Sequence, residues 1–185
     1  RHPVSALHFI KAKNSFDVIL WGVEGAAPYE GYGIGGSSVI VECLTDNKNR
    51  TAANVRSAFT KGKGNIGTQG CVSFMFDDKG IIVINNEDGD IDEDALMEAS
   101  LEAGAADFMA DEDIFEIYTE PDDLYAVKEA LEGAGYELLS AEKSKVPSNY
   151  VSLDSEEDVK FMELLIEKLE DDDDVMNVYH NWENC

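Results

Sequence analysis

Cysteine and basic residues are scarce in this 185-residue chain, and it has no long hydrophobic run. The three cysteines (Cys43, Cys71 and Cys185) are odd in number and widely separated, which is untypical of a secreted disulfide framework. No apolar run reaches the roughly 18 residues of a membrane span, and no basic-then-apolar signal peptide opens the chain. We therefore expect a cytoplasmic protein that does not contact a membrane.

Sequence motifs that carry catalysis are also missing. The chain contains no GxSxG, HExxH, CxxC or GKS/GKT pattern. Acidic pairs occur throughout the chain, so no pair stands out as an acid–base dyad, and His180 has no nearby cysteine at a metal-binding spacing. We expect no enzyme activity, and hence no catalytic residue, no metal site and no cofactor.

Two segments match ligand-binding loops only in part. The glycines of segment 31–36 fit GxGxxG, but the strand-like SSVIVECL follows where a dinucleotide site needs a helix N-terminus. A glycine-rich turn that enters a strand is the favoured interpretation, with a positive φ or a close backbone approach at the glycines. The acidic segment from Asp88 has Glu93 at the glycine position of a calcium loop and Ala99 at its closing glutamate position. We predict a solvated turn there, followed by helix-capping acids.

Charge is strongly unbalanced and unevenly distributed. There are 39 acidic and 14 basic residues, a net charge of −25, which disfavours contact with phosphate backbones. Residues 1–76 hold eight bases and five acids, whereas residues 77–185 hold six bases and 34 acids. No acid occurs from Asn47 to Phe76, and five bases lie there: Lys48, Arg50, Arg56, Lys61 and Lys63. This pattern predicts an electropositive spot; the alternative is chance clustering on a solvated face.

The order of the sequence patterns predicts an α+β fold with two ferredoxin-like (βαββαβ) domains, one inserted into the other. The inserted α/β domain is predicted at 78–148, and the discontinuous α/β domain at 28–77 plus 149–185. Residues 1–27 fit no clear element, and we expect an atypical N-terminal segment that is partly disordered.

Hydrophobic periodicity and capping residues place the individual elements. Strands are predicted at 37–44, 71–76, 80–84, 107–110, 114–118, 136–146, 151–153 and 175–182. Helices are predicted at 51–60, 92–103, 121–133 and 155–170. The acidic run Asp171–Asp174 is predicted to be a solvated, frayed helix end, because clustered acids oppose the helix dipole there.

Five stretches together resemble one family. They are YEGYGIGG (29–36), VECLTDNKNRTAANVRSAFTK (41–61), GNIGTQGCVSFMFDDKG (64–80), DEDALMEASLEAGA (92–105) and DDDVMNVYHNWE (172–183). The chain is similar to the YebC/PmpR family over roughly residues 28–184. This resemblance implies an N-terminal helical bundle and two α/β domains, one inserted in the other. We expect this chain to lack the family's usual Lys-rich N-terminal helical domain, because residues 1–27 do not look like it. The segment GKGN at 62–65 also departs from the family's more usual Gly-Gly-Asn.

The resemblance implies a regulator of gene expression. Family members are assigned as DNA-binding transcriptional regulators and as translation factors that act at the ribosome. The chain has five clustered bases but many more acids elsewhere, which predicts weak binding to DNA. A ribosomal site can combine rRNA contacts with protein contacts, so the acidic remainder of the chain is less unfavourable there. We therefore expect a translation factor that contacts the ribosome and rRNA, with a DNA-binding transcriptional regulator as the alternative. A small-molecule-binding module is a third class, by fold analogy alone. We expect a monomer or a weak homodimer.

The acid-free basic stretch is the predicted nucleic-acid-binding surface. Its proposed contacts are Lys48, Arg50, Arg56, Lys61 and Lys63, with Asn47 and Asn49 as hydrogen-bonding partners of phosphate or sugar. In the competing interpretation, these bases pair with the acids of the inserted domain and form an internal electrostatic latch.

Overall fold

The computed structural model describes residues 25–184, so the expectations for residues 1–24 and for Cys185 lie outside the described residues. The described strands are β1 (Ala26–Tyr32), β2 (Ser38–Leu44), β3 (Asn65–Ile66), β4 (Phe76–Asn85), β5 (Asp107–Ala110), β6 (Ile114–Thr119), β7 (Ser140–Pro147) and β8 (Val175–His180). The described helices are α1 (Lys48–Lys61), α2 (Glu93–Ala103), α3 (Leu124–Gly133) and α4 (Glu156–Glu170).

These elements form an α+β fold with two four-stranded antiparallel sheets, consistent with two ferredoxin-like domains, so the predicted fold class is confirmed. The chain divides into two compact units. Unit 2 consists of Asp78–Val146, and unit 1 contains the described residues on either side of it. The sheet of unit 1 has the order β3-β1-β2-β8, and the other sheet has the order β5-β6-β4-β7.

The core of unit 1 lies between one face of its sheet and the helices α1 and α4. Val39, Val41 and Cys43 of β2 are fully buried, and their spacing of two residues directs them to the same face of the sheet. The helices add Val55, Ala58 and Phe59 from α1 and Met162, Leu165 and Leu169 from α4. Helix α1 is therefore anchored by an apolar stripe, which leaves its remaining sides to polar residues.

Unit 2 follows the predicted strand and helix order, β4-α2-β5-β6-α3-β7. Its core combines alternate residues of β4 and β6 with Leu96 of α2 and Leu131 of α3. Both ends of α2 are capped: the Asp92 carboxylate accepts the Ala95 N–H at 3.0 Å, and Gly104 ends the helix at φ 109°.

Two predicted strands of unit 1 are wrong. The segment Cys71–Phe76 forms a turn and a 3-10 helix at Ser73–Met75, and a strand starts only at Phe76. Val72 and Phe76, which are four residues apart, are both buried in a small cluster with Ile40 and Tyr179 of the sheet. This spacing differs from the burial of every second residue that is typical of a strand. Of the predicted strand 151–153, only Val151 pairs, in a single bridge.

Other element boundaries also differ from the prediction. Strand β1 was not predicted; it pairs with β2 in an antiparallel hairpin, and Gly31 lies inside it. Helix α1 starts at Lys48, three residues before the predicted start, because Asn47 caps it. Strand β7 begins at Ser140 instead of residue 136.

The helices of the described chain are too short or too polar to cross a membrane. Among residues 25–184, no helix is both long enough and apolar enough to span a bilayer.

Candidate nucleic-acid interface

Helix α1 carries most of the predicted binding residues, and its first turn already uses one of them. The Asn47 side-chain carbonyl accepts the Arg50 backbone N–H at 3.1 Å, which satisfies a free donor at the helix start. The first turn contains no acidic residue. Asn47 is therefore a capping residue, and its amide oxygen is occupied in the protein.

Helical spacing distributes the other polar residues over two sides of α1. Arg50, Asn54, Ser57 and Lys61 follow one another at intervals of three or four residues and line an open groove of about 590 Å³. Asn49 and Arg56 are seven residues apart, which is two turns, and do not line that groove. The sequence-predicted site is thus split between two sides of one helix.

The groove combines charges of both signs. Lys168 of α4 lies in it together with Lys61, and the acidic run Asp171–Asp174 forms another part of its lining. Small-molecule pockets are mostly apolar, whereas this groove is lined mainly by charged and polar side chains. Lys168 was missed by sequence reasoning because it lies more than 100 residues from Lys61 and no local pattern connects the two.

Arg50 is held by an ion pair within unit 1. Its guanidinium donates to both carboxylate oxygens of Asp174, at 2.9–3.1 Å, and to Asp46 at 2.9 Å. A bidentate pair of this kind fixes the guanidinium plane. The latch interpretation is therefore wrong for Arg50, because both acidic partners belong to unit 1 and not to the inserted unit.

Asp174 is also more constrained than a frayed helix end. Its carboxylate accepts the Thr51 hydroxyl at 2.9 Å, and the Asp174 side chain is 14% exposed. Thr51 in turn lies 2.7 Å from the Thr45 hydroxyl oxygen. Burial acts to raise the pKa of Asp174, but the hydrogen bonds from Thr51 and Arg50 outweigh it and hold that pKa below the usual value. The prediction of a solvated end is wrong for this residue, because partners distant in sequence satisfy its charge.

Lys63 is likewise held in place. Its ammonium lies 2.9 Å from a carboxylate oxygen of Glu157 and 3.9 Å from the ring centroid of Phe161. Its backbone φ is 55°, the one positive φ at a non-glycine residue in the described part of the chain. This left-handed conformation lets the chain turn from α1 into β3, and it is costly for lysine because its Cβ is crowded.

Replacing Lys63 with glycine is expected to give a more stable protein than replacing it with alanine, by about 1 kcal/mol. Both variants lack the interactions with Glu157 and Phe161, and only the glycine variant is also relieved of the backbone strain. Urea unfolding followed by circular dichroism measures the difference. At the exposed helical residue Ala53, the order should reverse, and Ala53→Gly should cost about 1 kcal/mol. Equal stability of the two Lys63 variants would contradict the strain argument.

Three predicted cations stay exposed and form no ion pair with another described residue: Lys48, Arg56 and Lys61. Arg56 lies close enough to Tyr29 to affect it: burial and the Cys43 charge raise the pKa of the Tyr29 hydroxyl, and the Arg56 charge opposes that rise. Exposed cations without an acidic partner are available for phosphate oxygens.

The segments that resembled ligand loops have structural roles. Residues 33–36 form the turn between β1 and β2, with Gly35 at φ 69° and Gly36 at φ 77°, and a strand follows.

Neither the buried cysteine nor a cluster of ligands indicates a reactive or metal site in the described residues. Burial is the main cause that raises the pKa of the Cys43 thiol to about 12, and the nearby acids, led by Asp172, add to it. The thiol therefore stays protonated at neutral pH. Among the described residues, no group of three or more potential metal ligands comes together.

Comparison with known proteins gives consistent matches. The family model described as "TACO1/YebC second and third domain" matches residues 24–182. A probable transcriptional regulatory protein of Agathobacter rectalis is 57% identical over 157 residues, which cover 85% of this chain and 65% of that protein. A protein of the same description from Lachnoclostridium phytofermentans is 55% identical over 155 residues, covering 84% and 64%. The chain thus spans slightly less than two thirds of the length of these relatives.

A solved structure has the same fold. The crystal structure of a conserved hypothetical protein from Aquifex aeolicus matches with a TM-score of 0.75 and 40% sequence identity. The match covers 88% of this chain and 68% of that chain.

Proposed function

Because the chain belongs to the TACO1/YebC family, we propose that it is a non-enzymatic, nucleic-acid-associated regulator of gene expression that acts in translation, at the ribosome. The observation that carries this proposal is the set of exposed cations Lys48, Arg56 and Lys61 on an acid-free helix. These residues would contact rRNA phosphates, with Asn49, two turns from Arg56 on α1, as a further hydrogen-bonding partner. The protein would act in the cytoplasm, as a monomer or a weak homodimer.

Charge favours the ribosome over naked DNA. Unit 2 holds 21 acids and four bases, so this unit repels a duplex. A protein with three or four available phosphate contacts binds DNA weakly at physiological salt. On the ribosome, basic ribosomal proteins would attract the acidic unit while rRNA attracts α1. The acidic unit and the basic helix would then both contribute to ribosome binding.

Transcriptional regulation is the second candidate function. The observation that favours it is the description of the curated relatives as probable transcriptional regulatory proteins. It requires binding to duplex DNA, which the same cations would provide. Gel shifts on random duplex DNA, run beside ribosome co-sedimentation at the same salt concentration, separate the two candidates.

Charge reversal of Lys48 and Arg56 together is expected to weaken ribosome binding about tenfold. In a plot of log affinity against log salt concentration, the slope should decrease in magnitude by about 0.7 for each phosphate that the variant no longer neutralises, if the bound RNA is single-stranded. Co-sedimentation of the full-length protein with ribosomes at several salt concentrations measures both effects. Neither residue has an ion pair within the described chain, so the melting temperature should stay unchanged.

The matched control reverses Lys128 and Lys160, which changes the net charge equally but lies outside the acid-free stretch. This control should bind ribosomes nearly as well as the unmodified protein. Equal losses in both double variants would mean that net charge alone governs binding, and the assignment of the site to α1 would be wrong. Arg50 is not a suitable target, because its pair with Asp174 is structural.

A further inference from the structure

The groove between α1 and α4 is held by a fixed contact at each end. At the end of α1, Gly62 lies so close to α4 that a Cβ atom there would be 2.6 Å from the Cβ of Leu165. At the start of α1, Arg50 is paired with Asp174, which follows α4 in the chain. The two walls of the groove therefore run in opposite directions, and their separation is set at both ends.

The charged side chains of this groove follow a spatial order. Lys61 and Lys168 line it near the contact between Gly62 and α4, because each lysine is within one turn of that contact. Asp171 and Asp173 come later in the chain and line the part nearer to the other contact. The groove thus has a cationic end and an anionic part.

Four charged side chains in the groove are exposed and form no hydrogen bond or ion pair with another residue of the described chain: Lys61, Lys168, Asp171 and Asp173. The remaining acids of the acidic run have structural partners. Asp174 pairs with Arg50, and the Asp172 carboxylate accepts the Asp174 N–H at 2.9 Å. Two ammonium groups and two carboxylates are therefore available to one ligand.

This lining fits a ligand that combines an anionic group with hydrogen-bond donors. The lysines attract a phosphate, whereas ionised carboxylates only accept hydrogen bonds and so require donors. The exocyclic amino group of cytosine is such a donor, and Asp and Glu are its usual acceptors. Uracil presents a carbonyl oxygen at the same position, which a carboxylate repels. Asn54 and Ser57 line the α1 wall between Arg50 and Lys61 and can bind ribose hydroxyls.

We propose that the groove between α1 and α4 binds an unpaired nucleotide of single-stranded RNA whose base carries an exocyclic amino group. Lys61 and Lys168 bind the phosphate. The carboxylates of Asp171 and Asp173 accept hydrogen bonds from the amino group. This inference rests on the proposed nucleic-acid function and names the type of RNA contact. A base inside a duplex cannot enter the groove, because its Watson–Crick edge is already paired.

The test compares two pyrimidine RNAs of similar size that differ in the group presented to the carboxylates. Fluorescein-labelled oligo(C) and oligo(U) RNAs of twelve nucleotides are the probes, and fluorescence anisotropy with the full chain is the readout. The unmodified protein should bind oligo(C) about fivefold more tightly than oligo(U). Lys168→Gln should weaken both by the same factor and reduce the magnitude of the salt slope by about 0.7. Equal binding of the two RNAs by the unmodified protein would overturn the proposal.

Replacing Asp171 and Asp173 together with alanine separates a base contact from simple charge repulsion. The variant should bind oligo(U) more tightly, because negative charge is removed, and it should lose the preference for oligo(C). The matched control replaces Glu163 and Glu167 with alanine, since both are exposed on α4 and neither lines the groove. The control should keep the preference. A preference that survives in the aspartate variant, or disappears in the control as well, would contradict the assignment.

Cytidine 5′-monophosphate, added as a competitor, distinguishes an RNA strand from a free nucleotide. Millimolar concentrations should be needed to release labelled oligo(C), because a single nucleotide lacks the neighbouring phosphates that α1 also attracts. Release at micromolar concentrations would overturn the RNA strand as the occupant. The reversal of Lys48 and Arg56, measured on ribosomes, keeps the two proposals distinct: lost ribosome binding without any base preference leaves the function standing and removes the nucleotide site.

Discussion

Replacing Gly31 with alanine is expected to lower the free energy of unfolding by about 3 kcal/mol. A Cβ atom at this position would lie 2.5 Å from the Asn65 carbonyl oxygen and 2.7 Å from Cε1 of Phe59. Neither neighbour can move freely, because Asn65 belongs to β3, which pairs with β1 here, and Phe59 is 1% exposed in the core. The change would therefore separate β3 from the sheet or push α1 away from it.

Gly133 provides the control for this substitution. It is the last residue of α3, and a Cβ there would meet no atom within 4 Å. Gly133→Ala is expected to stabilise the protein by about 0.5 kcal/mol, since alanine has the higher helix propensity. Urea unfolding monitored by circular dichroism compares the two. A Gly31→Ala variant as stable as the unmodified protein would show that the approach of β3 to β1 is not close.

The glycine pattern of residues 31–36 illustrates what sequence can and cannot provide. The pattern predicted that positive φ angles or close backbone approaches require these glycines, and both reasons occur. Gly35 and Gly36 have positive φ angles, whereas Gly31 and Gly33 lie against atoms of β3 and α4. The sequence could not say which glycine serves which purpose, because the neighbours come from distant segments.

Elements defined by local interactions were predicted most accurately. Helix α4 runs over Glu156–Glu170, against the predicted 155–170, because the Ser155 hydroxyl accepts the Asp158 N–H at 3.3 Å and so marks the start. Strand β1 was missed because Pro28, Glu30 and Gly31 interrupt the apolar pattern. It is nevertheless a strand, since pairing with β2 and β3 supplies its hydrogen bonds.

The sequence predicted which segment carries the candidate site, but not which of its side chains are available to a ligand. Composition identified the acid-free segment, and the structure shows that its residues lie on two sides of α1. The partners of Arg50 and Lys63 could not be predicted, because Asp174 and Glu157 lie 124 and 94 residues away along the chain. Those pairs assign Arg50 and Lys63 to the structure and leave Lys48, Arg56 and Lys61 available for a ligand.

Replacing Asp174 with alanine is expected to lower the free energy of unfolding at neutral pH by about 2 kcal/mol, because it leaves the buried Thr51 hydroxyl without this acceptor and Arg50 without its bidentate partner. Asp173→Ala, a change of equal charge at an exposed neighbour, should cost little. Asp174 has a pKa below its ordinary value in the native state, so its contribution is complete above the unfolded-state pKa of about 4 and is lost as the pH falls through the lower native pKa. The stability difference between the unmodified protein and Asp174→Ala should therefore shrink as urea unfolding is repeated from pH 6 to pH 3. A difference that stays constant over this range, or an equal cost for Asp173→Ala, would show that the carboxylate does not hold α1 to the loop between α4 and β8.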